Sequence, residues 1–401
     1  MDMIEKIRDH LSHYDLDIRK THNARFMDQK VTPDVLCFIA DCIINYVKDD
    51  TSQEFTVRDI WSSQYFEDNV QAIFGKPSPS NGTASSEYDK FIGQPIKALD
   101  YAKILESEKR GTTYYYTVNN YEILEYISIK ERYTFVFLYE YLVKVLSDSG
   151  FILYINRFEN SYRSNRLSLS EFAQLKRRFQ QFIRGNTPIT GDTEINRIFP
   201  KVLNIISSMK QLPGTVSGRL TNDIFHYTDL MYNRVNWRDI SKLKSLTRRT
   251  ANMPSAINGQ KKIHSEYLVQ RAVNFIKKKY PQSELRDQWS QGIATCVHHI
   301  FPKSTYPKIA AYIENLIKLT SEQHFTKAHP NGNMTLIDLN YQCECLISKS
   351  NGIEESLNSG DLFYSKESFV YVVNTGLNTQ WQPSLSFDNI RTRLVAKYNE
   401  L

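Results

Sequence analysis

Between Cys296 and Asn333 the chain reads CVHHIFPKSTYPKIAAYIENLIKLTSEQHFTKAHPNGN, and four of its nine histidines (His298, His299, His324, His329) fall inside this stretch. An apolar run from Ile293 to Val297 reads as a strand that delivers the histidine pair. Glu314 to Leu319 reads as a second short strand, and Thr320 or Ser321 stands where a side-chain oxygen caps a helix opening EQHFTKAH. The expected order is strand, loop, strand, helix, with a histidine at each corner. Adjacent residues on a strand point to opposite faces, so His298 and His299 are free to take different tasks.

These residue types suit phosphodiester hydrolysis. A neutral imidazole titrating near pH ~6.5 is a competent general base for water, the role expected of His299. A metal held by His298 and His324 would polarise a phosphate and stabilise a leaving 3′-oxygen. His329 follows His324 by five residues. At about 100° per residue an undistorted α-helix turns it some 140° away. Pro330 disfavours the α conformation at residue 329, so the helix is expected to end there and His329 can bend back as a third ligand. Asn331 and Asn333 are the substitutes. An imidazole set without a carboxylate favours Zn, Ni or Mn over Mg in affinity, although phosphate and water oxygens also suit Mg, so the divalent metal stays open.

The pattern resembles the HNH endonucleases, the ββα-metal nucleases, over about 40 residues with a core of 293–333. The resemblance implies that His299 is the base and that His298 and His324 are ligands. It also implies that Asn315 braces the intervening loop and helps orient His299. Colicin-type relatives place the last ligand four residues after the preceding one, so His329 departs from the pattern. Lys303 and Lys327 are near enough in sequence to contact phosphate, or to be ordinary surface lysines.

The other features are consistent with a DNA-processing enzyme. The five cysteines lack paired C-x-x-C spacing, which argues against a disulfide framework or a structural zinc knot and for a reducing cytoplasm. The N-terminus has no signal-like apolar region, and no run approaches a membrane span. From Arg234 to Lys279 twelve Lys/Arg face Asp239 and Glu266, a local net of +10 in a chain of +6, so a polyanionic partner is expected. A solvated helical face is the plainer reading of that block. Asn233, Arg234, Asn236 and Arg238 surround Tyr232 and Trp237, either as base and phosphate contacts or as a polar loop.

Farther upstream, Thr32, Pro33 and Asp34 mark a helix start. A strand-like FTV at 55–57 precedes one helix over RDIWSSQYFEDNVQAIF and, after the loop GKPSPSNGTASS, a second helix around Ser86 to Leu99. Two β-prone runs separated by ESEKRG then read as a hairpin. Helix, helix and hairpin over roughly 51–118 resemble a winged helix-turn-helix. This would make 86–99 the recognition helix, with Lys90, Lys97 and Lys103 facing DNA and Lys109 and Arg110 tipping the wing. Such modules also serve as protein-packing units. Residues 120–290 read as mostly helical, with 151–166 as an exposed loop and weak boundaries near Gly185 and near Met253 to Gly259.

The expected architecture is α+β and predominantly helical. It comprises a winged-helix-like recognition domain (1–120), a helical linking and DNA-binding region (121–255) and an HNH nuclease domain (256–401). The expected function is a type II restriction endonuclease of a prokaryotic cytoplasm, cutting double-stranded DNA to 5′-phosphate and 3′-hydroxyl ends. It would act as a homodimer on a palindromic site, with a cognate methyltransferase that shares the site without binding the protein. The alternatives are a homing-type, phage or modified-base-dependent nuclease, or a non-catalytic winged-helix protein with structural zinc.

Overall fold

The structure is a computed structural model and describes residues 3–48, 50–74, 76, 79, 85–232, 254–330, 333, 337–360 and 363–400, without the side chains of 71, 72, 85–87, 228 and 254–265. Asn233, Arg234, Asn236, Trp237, Arg238 and Asn331 lie outside the described residues, as does most of the basic block. The fold is α+β and predominantly helical, with three two-stranded antiparallel sheets among the described residues. It divides into two compact units, 4–254 and 255–401, with 1–3 grouped with the second. The segments 1–120 and 121–255, expected as separate domains, fall within one unit, and the expected boundary near Gly185 is a helix end inside it.

The first unit begins with α1 (Met3–Ser12), α2 (Ile18–Thr21) and α3 (Pro33–Val47), the last with most of its length buried. Thr32 occupies the N-cap position of α3, but its hydroxyl donates to Asp34 Oδ1 at 2.7 Å instead of accepting a helix N–H. The single helix expected after Phe55 is two, α4 (Val57–Trp61) and α5 (Gln64–Phe74). The break follows from Ser63, whose hydroxyl donates to Ile60 O and accepts from Phe66 N, capping a new helix start. Next, α6 (Ser85–Tyr101) runs through Pro95 and leads into β1 (Leu105–Arg110) and β2 (Thr113–Val118). Arg110 pairs with Thr113, so the turn is Gly111–Thr112, with Gly111 at φ 63°, and ESEKR, expected as the turn, is strand. Phe55 exchanges both backbone hydrogen bonds with Tyr116, at 3.0 and 2.8 Å, adding a one-residue rung to this sheet.

Five further helices complete the unit's helical core: α7 (Tyr121–Ile129), α8 (Glu131–Asp148), α9 (Ile152–Arg163), α10 (Leu169–Asn186) and α11 (Asp192–Lys210). The stretch 151–166 is therefore helix α9 instead of a loop, because Ile155 and Phe158 recur at helical spacing and are buried. A hairpin, β3 (Pro213–Val216) and β4 (Arg219–Ile224), follows α11. Asn204 of α11 pins it by accepting from Thr215 N and donating to Thr215 O, at 2.7 and 2.9 Å. Gly214 permits this approach, since a Cβ there would lie 2.7 Å from Asn204 Oδ1 and 2.6 Å from the Phe225 ring.

The second unit contains α12 (Pro254–Lys279), β5 (Cys296–His299), β6 (Leu316–Leu319), α13 (Leu339–Asn358), α14 (Lys366–Leu377) and α15 (Phe387–Tyr398). Its core gathers Ile300, Phe301, Ile309, Leu316 and Ile317 with Leu346, Val372 and Leu394. At Gly376 a Cβ would run into the Phe301 ring, so the missing side chain is what lets the loop after β5 pack on α14. Glu284 fastens β6 to α13: its Oε1 accepts from Lys318 N at 2.7 Å and its Oε2 from the fully buried Lys349 Nζ at 2.8 Å.

Candidate metal centre and nucleic-acid surface

β5 and β6 pair antiparallel, with His298 opposite Ile317 and His299 opposite Leu316. The first strand is shifted from its expected place, for Ile293 is 81% exposed and the ladder begins at Cys296. The second strand begins at Leu316, and Asn315 ends a 3-10 turn, Ile313–Asn315. As the pleat requires, the two histidines diverge: His298 is buried, whereas His299 is part-buried with Nε2 3.1 Å from Ala310 O.

The helix expected at EQHFTKAH is a π-helical turn, Gln323–Ala328. Thr320 caps it reciprocally: its hydroxyl accepts from Gln323 N at 3.2 Å while Gln323 Oε1 accepts from Thr320 N at 3.0 Å. Gln323 also takes Ser283 Oγ–H and donates to Leu285 O and Asp287 Oδ1, so the residue before His324 is held on every side. The wide winding answers the five-residue spacing. His329 N donates to His324 O at 3.2 Å, the i→i+5 bond of a π turn, and this stacks position 329 over 324 where an α-helix would turn it away. His329 itself is extended, as Pro330 demands.

His298, His324 and His329 consequently converge, with ring centroids 4.9 to 5.2 Å apart and one nitrogen from each within 4.8 Å of the others. All three are buried, and His324 Nδ1 is a buried nitrogen without a hydrogen-bond partner. Burial, reinforced by the neighbouring imidazoles, holds His298 well below the usual imidazole range, and burial with His329 pushes His324 down to about 4. Both are therefore neutral at physiological pH, the form that ligates a metal. An orphaned nitrogen among neutral imidazoles fits a divalent ion of the imidazole-preferring class. Among the described residues the group is three histidines, with no cysteine or carboxylate.

Asn315 is fully buried and does brace the loop. Its Oδ1 accepts from Phe301 N at 2.9 Å, its Nδ2 donates to Phe301 O and Ile309 O, and its carbonyl accepts from Ile300 N. Its expected part in orienting His299 is indirect. The ring of His299 meets Ala310 O, next to the loop end that Asn315 holds, so Asn315 acts on it through the loop. With Nε2–H donated to Ala310, Nδ1 is left as the proton acceptor. Burial lowers the His299 pKa, against the carbonyl contact and with help from Lys303, which keeps the ring unprotonated. Gln342 and Tyr398, absent from the sequence reading, fix the same strand end: Gln342 Nε2 donates to Ile300 O and Tyr398 OH donates to Gln342 Oε1. Lys303 is exposed, and Lys327 lies 4.5 Å over the Trp289 ring.

In the first unit, Lys90 and Lys97 share one face of α6 and line a cleft with Arg25 and Arg197. Lys97 and Lys109 both approach the Tyr114 ring, at 5.9 and 5.7 Å from its centroid. Lys103 follows α6 at φ 59°. Arg110 flanks the Gly111–Thr112 turn, and its guanidinium is engaged by Glu54 through Nη1 and Nη2 and by Glu108. Tyr114 is 40% exposed beside Lys97 and Lys109. Among the described residues no helix is long and apolar enough to cross a membrane. Comparisons with protein-family models, with curated proteins and with solved structures gave no match.

Proposed function

We propose that the chain is a metal-dependent DNA endonuclease of HNH type that hydrolyses phosphodiester bonds at a specific sequence. The observation that carries this reading is the convergence of His298, His324 and His329 on one side of β5 while His299 faces the other, beside a loop braced by Asn315. The three histidines would hold the ion, which supplies a Lewis acid for the scissile phosphate and the leaving 3′-oxygen. His299 Nδ1 takes the proton of the attacking water, and the bond to Ala310 fixes the tautomer that makes this possible. Asn315 keeps the loop, and with it Ala310, in place. Products would be 5′-phosphate and 3′-hydroxyl ends.

Recognition is assigned to residues 51–118. The order of the Phe55 rung, α4 and α5, α6, and the β1–β2 hairpin supports a winged-helix reading, with Lys90, Lys97 and Lys109 toward DNA. Two strands to be cut and a palindromic site favour a homodimer, and host protection would fall to a methyltransferase of the same specificity.

One observation favours a structural metal instead: all three ligands are buried, as in closed zinc sites. Among the described residues the histidine group offers three ligands, which weighs toward catalysis, since catalytic sites keep a position open. Digestion of DNA of known sequence under Mg, Mn, Zn and Ni, with sequencing of the ends, separates the readings. Discrete fragments with 5′-phosphates are expected, and His299→Ala should lose about 10²- to 10⁴-fold in rate while binding DNA as before. Binding without cleavage under every metal would leave the structural site as the better account.

A further inference from the structure

We propose that the cleft between α6 and α11 holds one sugar–phosphate strand of the DNA that α6 faces, an inference that rests on the DNA-binding reading above. The cleft measures about 600 Å³, and its lining includes Arg25, Lys90, Lys97 and Arg197 against the carboxylates of Asp89 and Glu194. Lys90 and Arg197 are exposed and make no ion pair or hydrogen bond with any described residue. Arg25 spends only Nη1, on Asp28 and Glu194, which anchors the guanidinium at the wall and leaves Nε and Nη2 as donors. Gln94 has its amide oxygen taken by Lys30 N at 2.9 Å, so what it offers a ligand is its NH₂ group.

Cations left unpaired in one concavity repel one another, and low-dielectric walls focus their field, so the cleft favours an anion. Its volume lies within the ~300 to 1,000 Å³ of ordinary ligand cavities. That admits a stretch of one strand and excludes a duplex. A strand flanking the groove that α6 faces supplies such an anion, with its phosphates between the lysines of α6 and the two arginines opposite. Arg25 and Arg197 lie outside residues 51–118, so the grip is one that helix and hairpin alone would lack.

The test is duplex binding by the full chain in chelator, where nothing is cut, at several salt concentrations. Each phosphate contact contributes about 0.9 to the slope of log K against log salt. Arg197→Ala and Lys90→Ala are each expected to weaken binding about equally on all sequences and to lower the slope by about 1. Arg197→Lys should keep the slope. Arg177→Ala, at an exposed position of α10 away from the cleft, should change neither quantity. Arg197 decides: wild type that binds, with an Arg197→Ala slope matching that of Arg177→Ala, overturns the cleft alone. Wild type that binds no duplex at low salt overturns the DNA-binding reading as well.

Discussion

In the β5–β6 ladder all four residues of Leu316–Leu319 are buried, Lys318 among them, whereas five of the six residues of Leu105–Arg110 in the β1–β2 ladder are exposed. Both are antiparallel pairs of similar length, so the ladder itself does not set the difference. In β5–β6 the polar groups are locked by named partners: Lys318 N by Glu284, His299 by Ala310, Asn315 by Phe301 and Ile309. In β1–β2 the charges sit on two faces of an open ribbon, Lys109 with Tyr114 on one and Glu108 with Arg110 on the other. A buried ladder suits chemistry that needs fixed geometry, and an exposed one suits contact with a large charged partner. The two should respond to substitution in opposite ways.

The largest effect on stability is expected at Lys349, the fully buried cation that ties Glu284, and through it β6, to α13. Lys349→Ala leaves the Glu284 carboxylate buried without its charge partner and should cost about 3 to 5 kcal/mol, read by chemical denaturation. Lys349→Met together with Glu284→Gln removes both charges and should recover most of that loss. If the double variant were as unstable as the single one, the pair would owe its worth to packing instead of charge.

Asn315→Ala comes next. The fully buried amide satisfies the N–H and C=O of Phe301, so its loss orphans two backbone groups at about 1 to 3 kcal/mol each. Because His298, His324 and His329 make none of these bonds, the metal content of the purified variant should equal that of wild type while cleavage falls. A parallel loss of metal would place the brace under the triad as well as under His299.

Much of the buried region was legible because its signals are local. Histidines at strand and helix corners, an asparagine at the second strand and a cap at Thr320 or Ser321 are readable in order along the chain. The π turn was not, since winding is set by how His324, His329 and Pro330 settle together; α-helical arithmetic alone turns His329 away, and only Pro330 pointed it back toward the site. Gln342 reaches Ile300 O from α13 and Tyr398 in turn reaches Gln342 from α15, contacts made only by tertiary packing. In the exposed region the helices and the hairpin were legible in order, but ESEKR read as a turn because strands seldom carry so many charges. Nothing in the sequence near Arg110 announces Glu54, more than fifty residues earlier, as its partner.

That partnership makes the smallest and sharpest prediction. Lys109 and Arg110 are neighbours on one strand, yet they belong to opposite faces of the hairpin. Lys109 lies beside Tyr114 and Lys97, while Arg110 is held by two carboxylates. Substituting either by Gln removes one positive charge, and both should weaken DNA binding slightly by that long-range term, which is screened over ~10 Å at 0.1 M salt. Only a residue that displaces counterions from a phosphate alters the salt slope. Lys109→Gln should lower it by about 0.9, and Arg110→Gln should leave it as in wild type. Equal slopes for the two variants would mean that the charges of β1–β2 act as a diffuse patch. A loss confined to Arg110→Gln would mean that DNA takes the guanidinium from Glu54 and Glu108, making the acidic face the one that binds.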